Sequence, residues 1–434
     1  MKVLKFGGSS LADANQFKKV KDIALSDEER KYIVVSAPGK GVRSSHKVTD
    51  LLLMCYQLAS HDLNFNEIYE IIEKTYKEIV DELELSVDID KILKDIHGEI
   101  QNGASKDFTA SRGEYINAIL LADYLGWSFV DAKDIIFFNR GDLDEEKTER
   151  EISKVLQDSP YTVIPGFYGQ DENGKIKTFS RGGSDITGSL IANALKSEIY
   201  ENWTDVSGFL VADPKIVENS KTIDYITYRE LRELSYMGAP VLHEDSIVPV
   251  KKYGIPINIR NTNAPSDKGT TIIPNYDDEK ITNNITGIAG KRGFSVITIE
   301  KTFMNTEYGF FRKIMSVFET NEIPIEHMPS SIDTVSLIVD TGKIVEKLDK
   351  IIEEIKIYTN PKSISVEHGI SLIAIVGKGM VNSKGTSGKI FTALGNNDVN
   401  VRMISQGSSE LNIIIGVLDK DFEKAIKSIY EAFN

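Results

Sequence analysis

The last third of this sequence contains an internal duplication, which limits the possible folds more than any other feature. The stretch GFSVITIEKTFMN (293–305) is similar to GISLIAIVGKGMVN (369–382), and KIMSVFETNEIPIEHM (313–328) is similar to KIFTALGNNDVNVRMI (389–404). The offset is 76 positions in both comparisons. Three pairs of residues keep this register without a gap: Ser295 and Ser371, Met304 and Met380, and Asn321 and Asn397. A repeat of this kind indicates two copies of one structural unit.

Each copy shows the order strand, loop, helix, strand, strand, helix. A unit of this size leaves a sheet edge or face open, so it tends to pair with another unit. Two interpretations follow from the residues alone. The copies are either two small structural domains or a paired sensor whose ligand lies between the copies or between chains.

The region before the duplication, roughly residues 1–280, alternates strand and helix signals. KVLKF (2–6) and the β-branched run YIVVSA (32–37) predict buried strands, with a helix from about Asp13 to Leu25 between them. Later strand signals are SFVDA, YTVIPGF, EIYENWTDV and IPINIR. Alternation of this kind predicts an α/β sandwich with a largely parallel sheet. Within it, GFYGQDENGK predicts a hairpin with Asn173-Gly174 as the turn.

Charge and composition restrict the class of protein. The net charge is −14, from 51 Lys+Arg against 65 Asp+Glu, which disfavours general binding to nucleic acids or anionic membranes. Cys55 is the single cysteine, so no intrachain disulfide forms, and its run LLLMC predicts a buried thiol. No apolar run approaches the ~20 residues that span a bilayer. Because the sequence starts directly with a strand signal, we expect no signal peptide and a cytoplasmic location.

Two short glycine-rich stretches are flanked by apolar runs of the sequence. In KFGGSS, Lys5 ends a strand, and Gly7 and Gly8 would let backbone amides approach an anion closely. A lysine at this place is a point charge for a phosphate group. The alternative is a purely structural turn.

The second glycine turn is SRGGSDITGSLIANAL (180–195). Gly182 and Gly183 would form the turn, with Ser184 and Asp185 at the start of a helix. The plain alternative is that Ser184 or Asp185 is an N-cap. A cap does not require Arg181, whose planar guanidinium suits a carboxylate or phosphate, and Asp185 would orient Lys5 or reach a metal ion.

Three further segments carry polar residues near strand or helix ends. Thr204 and Asp205 follow a strand in NWTDVSG; SRGEYINAIL places Glu114 in the first turn of a helix; and SSHKVTDLL places Thr49 similarly. Compensation of the helix dipole would explain Glu114 equally well, and an N-cap would explain Thr49. The six histidines are scattered without zinc spacing, and His243 is interpreted as a packed or surface imidazole. Together the motifs lie outside the ends of several strands, where open α/β sheets bind ligands.

The order and spacing of these motifs resemble aspartokinases, which belong to the amino-acid kinase superfamily and carry a C-terminal pair of ACT domains. The resemblance covers essentially the whole chain and rests on KFGGSS, RGGSD, WTDVSG, the Asp-Pro turn, GAPVLH and the duplicated tail. It implies an amino-acid-kinase-like three-layer sandwich with a mainly parallel sheet, followed by two α+β domains of βαββαβ type. The implied boundaries are 1–283 for the catalytic domain and 290–362 and 366–434 for the ACT domains, with strands that the two copies can exchange.

The resemblance also implies an activity: ATP and L-aspartate would give ADP and 4-phospho-L-aspartate, a step in the biosynthesis of lysine, threonine and methionine. Lys5 would neutralise the transferred phosphoryl group, Asp185 would position Lys5, and Mg²⁺ would bridge the phosphates of Mg-ATP, with no metal site of the protein's own. The nucleotide-site residues would be Phe6, Gly7, Gly8, Ser9, Thr204, Asp205, Gly208 and Lys215. The aspartate-site residues would be Thr49, Glu114, Arg181 and Ser184, with Arg181 on a carboxylate and Glu114 on the amino group.

Three positions depart from the pattern of some family members. Leu210 and Lys215 stand where some relatives have Tyr and Arg, and Pro240 stands where some have a nucleotide-binding lysine. Lys215 keeps a cation, whereas Leu210 cannot hydrogen-bond. Pro240 places one phosphate contact in doubt, and whether Lys215 or Lys221 compensates stays open.

Feedback control by an end-product amino acid is implied by the duplicated tail, with lysine as the expected effector and threonine as the alternative. The effector pocket would be formed by Met304, Tyr308, Gly309, Phe310, Phe311, Ser330, Ser331 and Asp333. The competing interpretation is that Phe310 and Phe311 only pack a helix. A homodimer through the ACT domains, or a dimer of such dimers, is expected, with neither nucleic acid nor membrane as a partner.

Three rival functions stay open at this point. The first is a kinase for glutamate or N-acetylglutamate, which WTDVSG and the double tail disfavour. The second is an amino-acid sensor with an inactive kinase domain, which Lys5, Arg181 and Asp185 disfavour and Pro240 favours. The third is a fusion to a dehydrogenase, which is disfavoured because it needs a further domain with a dinucleotide fingerprint, whereas the sequence reaches Asn434 directly after the second copy.

Overall fold

The computed structural model describes residues 1–40, 46–180, 182–238, 247–275 and 284–433. It divides into two compact units. The first comprises Met1–Phe209, Thr222–Tyr228 and Val241–Asn275, and the second comprises Leu210–Lys221, Arg229–Pro240 and Tyr276–Asn434. Two segments inside the predicted catalytic domain are therefore built into the second unit, and the boundaries 1–283, 290–362 and 366–434 stay a prediction.

The first unit is an α/β structure. Its strands are β1 (Lys2–Phe6), β2 (Arg30–Val35), β3 (Ser128–Phe129), β4 (Phe138–Asn139), β5 (Asp142–Leu143), β6 (Thr162–Pro165), β7 (Tyr168–Gln170), β8 (Ile176–Thr178), β9 (Ile199–Thr204), β10 (Tyr225–Thr227), β11 (Ile257–Asn261) and β12 (Thr270–Ile273). Its helices are α1 (Ala14–Leu25), α2 (Val48–Ala59), α3 (Asn66–Leu83), α4 (Ile89–Gln101), α5 (Lys106–Leu125), α6 (Glu145–Leu156), α7 (Gly183–Ala194) and α9 (Ile247–Lys252). Helix α8 (Tyr228–Tyr236) begins at the boundary between the units.

Eight strands form one sheet in the order β10-β12-β11-β9-β1-β2-β6-β3. Every neighbouring pair among them is parallel except β11 with β12. The predicted, mainly parallel α/β architecture is thus confirmed. The predicted hairpin is confirmed as well, since β7 and β8 pair antiparallel on either side of Gly174.

Alternate residues of the central strands face opposite helical layers, as the period of a strand requires. Leu4 and Phe6 of β1 belong to the large core that α1–α5 form. Lys5, between them, forms an ion pair with Asp185 of α7 on the other side. Because Leu4 and Phe6 face the core, the Lys5 side chain has to lie on the opposite face of β1, towards α7.

The second unit contains a five-stranded antiparallel sheet of order β14-β13-β15-β17-β16. The strands are β13 (Gly287–Glu300), β14 (Thr334–Asp340), β15 (Ser363–Val376), β16 (Met403–Ser405) and β17 (Asn412–Leu418). The helices are α10 (Phe310–Thr320), α11 (Thr341–Ile344), α12 (Leu348–Thr359), α13 (Thr386–Asn396) and α14 (Phe422–Phe433). Helices α10 and α13 start 76 positions apart, as the duplication predicts.

The paired residues of the duplication have matching environments. Met304 and Met380 each lie in the core of their own copy. The amides of Asn321 and Asn397 each donate to the carbonyl four residues earlier, at 2.8 and 2.9 Å, so both bind the last turn of the preceding helix. Ser295 of β13 and Ser371 of β15 are both buried and occupy equivalent positions. The Ser295 hydroxyl hydrogen-bonds to Thr341, directly after β14, and the Ser371 hydroxyl donates to Asp419, directly after β17.

The two long strands each contribute to both cores. Ile297 and Ile299 of β13 lie in the first core, whereas Ile288 of the same strand lies in the second. In β15, Ile364 packs on the first core and Ile373 lies in the second. The N-terminal half of each long strand therefore packs with the other copy of the repeat.

Two segments from the middle of the chain complete the second unit. The backbone of Val211 accepts a hydrogen bond from Ile288 at 2.6 Å, and Ala212 lies in the second core. Glu230 of α8 is fully buried, and its Oε1 accepts from the Thr286 hydroxyl at 2.6 Å and from the Lys378 N–H at 2.7 Å. A buried carboxylate is tolerated when donors of this kind satisfy it.

The single cysteine has the environment that its apolar run predicts. Cys55 is buried, as predicted, and burial raises the pKa of its thiol to about 12. Within the described residues, none of the helices has the length and apolar character that a bilayer span requires.

The Phe310 ring supports the core of the first copy. Replacing Phe310, which is 1% exposed, by Ala should destabilise that copy by about 3–5 kcal/mol because a cavity remains. Tyr308→Ala is the matched control, since Tyr308 is 99% exposed. Hydrogen exchange of α10, α12 and β14 amides in the full chain should accelerate in F310A and stay at the wild-type rate in Y308A. Equal exchange rates in the two variants would contradict this assignment.

Candidate functional site

The strongest candidate site lies where β1, β9 and α7 meet in the first unit. Lys5 stands one residue before the end of β1, and Asp185 stands in the first turn of α7. Lys5 Nζ and Asp185 Oδ1 are 2.5 Å apart, and Lys5 is 8% exposed. An ammonium group has three donors, so this pairing leaves it able to bind an anionic ligand as well.

The turn after β1 is built for close backbone approach. A Cβ on Gly8 would lie 2.8 Å from the Ala37 carbonyl oxygen, and one on Gly39 would lie 2.6 Å from the carbonyl carbon of Gly8. The Gly39 N–H donates to the Gly8 oxygen at 2.8 Å. A Cβ on Gly7 would lie 3.7 Å from Lys5 Nζ. Because these residues have no side chain, the backbone of the turn lies close to the lysine ammonium. Phosphate groups bind at turns of this kind, where backbone amides and a cation are close together.

The N-terminus of α7 has no side-chain cap from the described residues. Gly182, at φ +59°, is the N-cap residue. The N-cap interpretation of Ser184 and Asp185 is therefore wrong: Ser184 is a buried first-turn residue, and the Asp185 carboxylate binds Lys5. Uncapped amides and the dipole of a twelve-residue helix favour an anion at this end.

Glu114 adds a buried carboxyl group. Helix α5 starts at Lys106, so the placement of Glu114 in a first turn is wrong, and so is the dipole explanation that depended on it. Glu114 is 5% exposed, and burial raises its pKa to about 8, against the opposing effects of the Ala37 backbone hydrogen bond and the Arg112 and Lys5 charges. Its Oε2 has no hydrogen-bond partner among the described residues. A buried acceptor without a donor suits a cationic ligand.

Thr49 lies at the start of α2, which packs against α5. Lys47 is the N-cap residue, so the N-cap interpretation of Thr49 is wrong and its half-buried side chain stands inside the first turn. Helix α5 comes close to the segment after β2 at Gly113, where a Cβ would lie 2.6 Å from the Ala37 side chain. This contact brings the neighbouring Glu114 to the end of β2.

The residues expected to contact the nucleotide form a second group. Thr204 ends β9, and its hydroxyl donates to Asp205 Oδ1 at 3.1 Å. Gly208 has φ +95°, and a Cβ there would lie 2.4 Å from the Thr270 hydroxyl, so this turn requires glycine. Ser9 lies in the short 3₁₀ turn Gly8–Leu11. The Phe6 side chain, by contrast, is buried in the core and stacks on Trp203.

Several predicted residues are not brought into this site by the described structure. Arg181, Pro240 and His243 lie outside the described residues. Lys215 is exposed and belongs to the second unit, where its N–H donates to Asp213. No cluster of three or more His, Cys, Asp or Glu side chains that could hold a metal ion occurs within the described ranges.

Comparison with known proteins agrees with this architecture. The profile of the amino acid kinase family matches residues 1–261, and an ACT domain profile matches residues 373–433. Aspartokinase 3 of Bacillus subtilis is 37% identical over 450 aligned positions, which cover 100% of this chain and 98% of the relative. The chain belongs to the aspartokinase family. It is accordingly a kinase with ACT-type regulatory architecture.

Solved structures of aspartokinases have the same fold. Clostridium acetobutylicum aspartate kinase, described as an allosteric enzyme, is 54% identical with a TM-score of 0.91, and the match covers 100% of this chain and 99% of that one. Escherichia coli aspartokinase III in complex with lysine and aspartate (T-state) has a TM-score of 0.76 at 24% identity, covering 100% and 99%. The second comparison supports the fold alone.

In this aspartokinase family member, the residues expected to bind an effector divide into three groups. Met304 and Phe310 are buried in the first copy's core, which agrees with the packing interpretation for Phe310. Tyr308 and Phe311 are exposed, and Gly309 is the N-cap of α10 at φ +75°. The remaining three, Ser330, Ser331 and Asp333, lie in the loop before β14, where Asp333 Oδ1 accepts the Phe303 N–H at 2.8 Å.

Sequence analysis missed Asn202 and Gly39. Asn202 is 4% exposed and donates to Asp185 Oδ1 at 2.9 Å. An asparagine inside a strand carries no motif, so only the pairing register of β9 could have identified it. Gly39 stands in APGKG, which the sequence shows merely as a turn.

Glu114 should give the ligand-free protein a measurable pH dependence. The unfolded chain releases this proton near pH 4.5 and the folded chain near pH 8, so unfolding releases a proton between these values. Raising the pH through this window should therefore lower the free energy of unfolding, by up to about 1.4 kcal/mol per pH unit. Glu114→Gln removes the titrating group, so its stability should depend less on pH. Parallel wild-type and E114Q profiles between pH 5 and 8 in thermal unfolding would contradict the raised pKa.

Proposed function

We propose that the enzyme transfers the γ-phosphoryl group of ATP to the β-carboxylate of L-aspartate, giving ADP and 4-phospho-L-aspartate. The observation that carries this proposal is the Lys5–Asp185 ion pair, which lies beside a glycine turn and a helix N-terminus that no described side chain caps. The aspartokinase relatives support the choice of acceptor.

The acceptor would bind through groups of opposite charge. Glu114 Oε2, which has no hydrogen-bond partner among the described residues, suits the α-ammonium group of the substrate. Binding of that ammonium group would also lead Glu114 to lose its proton, because a nearby cation favours the ionised form of a carboxyl group. Arg181 would bind a carboxylate of the substrate, while Thr49 and Ser184 would donate hydroxyl groups. Glutamate is one methylene longer than aspartate. With its α-ammonium group on Glu114, its side-chain carboxylate would therefore lie at a different place from that of aspartate.

The nucleotide would bind across the glycine turn and the N-terminus of α7. Gly7, Gly8 and Ser9 would contact phosphates through the backbone, and Lys5 would neutralise the transferred group. Thr204, Asp205 and Gly208 would line the rest of the nucleotide site, with Phe6 contributing backbone. Mg²⁺ would arrive bound to the phosphates and supply further positive charge there.

The chemistry explains why charge and positioning dominate this site. A carboxylate with a pKa near ~4 is already ionised at neutral pH, so the acceptor needs no general base. The difficulty is to bring an anion against a polyanion, and catalysis of phosphoryl transfer depends on positioning and electrostatic stabilisation. Lys5 and the helix amides meet that need without a histidine.

For regulation, we propose that an end-product amino acid binds the duplicated ACT unit and stabilises a less active state, with lysine as the effector and threonine as the alternative. The duplication supports a sensor, and an Escherichia coli relative named lysine-sensitive aspartokinase 3 supports lysine. An effector acts only through its preference for one state. We also propose a homodimer through the ACT copies, or a dimer of dimers, in the cytoplasm.

Trapping of the acyl phosphate with hydroxylamine tests the function directly. Purified protein with Mg-ATP should form hydroxamate from L-aspartate but not from L-glutamate or N-acetyl-L-glutamate, and L-lysine should suppress the product. Aspartate activity that ignores lysine would keep the kinase and move the effector to threonine. Absence of product from all three acids would reject the kinase in favour of an amino-acid sensor.

Lys5→Ala should lower kcat by orders of magnitude, on the order of 10³-fold, because the transition-state charge loses its cation. The fold should persist, since Lys5 contributes one ion pair. Lys2→Ala is the matched control: Lys2 lies on the same strand and pairs with Asp27 at 2.7 Å. Steady-state kinetics should show wild-type kcat in K2A, and a wild-type kcat in K5A would refute the assignment.

A further inference from the structure

Asn202 is a buried amide in the candidate site whose purpose the proposed chemistry does not explain. In the parallel pairing of β1 with β9, Asn202 is the direct register partner of Lys5. It alternates with Glu201 and Trp203, whose side chains bond each other at 2.9 Å. Asn202 therefore faces α7, on the same side of the sheet as Lys5.

The contacts of Asn202 converge on Asp185. Its Nδ2 donates to Asp185 Oδ1 at 2.9 Å, and the same oxygen is 2.5 Å from Lys5 Nζ. The hydroxyl of Tyr200, two residues earlier on β9, donates to the backbone oxygen of Asp185 at 3.1 Å. Strand β9 thus holds both the backbone and the carboxylate of the residue that pairs with the lysine.

This geometry has a physical consequence for Lys5. A lysine ammonium on a four-carbon stem is mobile, so its position depends on how firmly its counter-ion is held. A neutral amide donor fixes the carboxylate oxygen without repelling or replacing the ammonium. A leucine at the same place would leave that oxygen with one donor fewer, and an aspartate would set a second anion beside it.

We propose that Asn202 is a positioning residue for phosphoryl transfer, which acts through Asp185 to hold the Lys5 ammonium at the phosphate turn. This inference rests on the proposed function, since it assigns Asn202 to the reaction that Lys5 serves. The plain alternative is that Asn202 only satisfies a partly buried carboxylate and so affects stability alone. The two differ in what they predict for kcat.

A double-mutant cycle separates them. Asn202→Leu, Asp185→Asn and the double variant are assayed by the hydroxamate method at saturating Mg-ATP and aspartate. N202L should lower kcat about 10-fold, as expected for loss of a charge-assisted hydrogen bond, and should leave both KM values within about twofold. In the D185N background the same substitution should change kcat less than about twofold, because residues in one network are not additive.

Asn258→Leu is the matched structural control. Asn258 is 8% exposed on the adjacent strand β11, and its amide donates to the Lys268 and Thr270 carbonyls and to the Thr271 hydroxyl. N258L should lower the Tm while leaving kcat within about twofold. Asn202→Asp, which keeps the size and removes the donor, replaces N202L if that variant does not fold, and should lose at least as much kcat.

The outcomes are distinct. Wild-type kcat in folded N202L or N202D would overturn the inference, as would an equal loss of kcat in N258L or an undiminished effect of N202L in the D185N background. A wild-type enzyme that makes no product would instead reject the proposed function itself.

Discussion

The parallel register of β1 between β2 and β9 is the constraint on which the site depends. Because all three strands run the same way, their carboxyl ends meet at one edge of the sheet, where ligands of such sheets bind. Apolar residues on alternate positions fix the face of β1, so Lys5 has to point at α7. The glycine turn, the helix N-terminus and the two carboxyl groups are arranged around that one orientation.

The site contains two carboxyls in contrasting surroundings, the partly buried Asp185 and the buried Glu114. Asp185 has a lysine and an amide as immediate donors, whereas one oxygen of Glu114 has no partner among the residues that the structure describes. The first arrangement holds a cation permanently, and the second is suited to receive one from a ligand. Environment, more than residue type, assigns the two acids different tasks.

Much of the fold could be predicted from the periodicity of the sequence, whereas the candidate site could be predicted only in part. The motifs identified Lys5 and Asp185, and the structure brings the two together, because glycine turns next to strands have a local signature. Glu114 was placed in the wrong helical turn, because the helix-start signal lies earlier, at Ser105, whose hydroxyl accepts the Phe108 N–H and caps α5 at Lys106. Asn202 was missed because its contact depends on strand register, which a single sequence does not reveal.

The segments of the chain that cross between the units have a consequence for gene architecture. The chain passes from one unit to the other five times, at 209/210, 221/222, 228/229, 240/241 and 275/276. A kinase gene truncated after the last of these points would leave Ala212 and Glu230 without the core and the donors that bury them. The two units are consequently poor candidates for modular exchange by recombination, and we expect them to be inherited together.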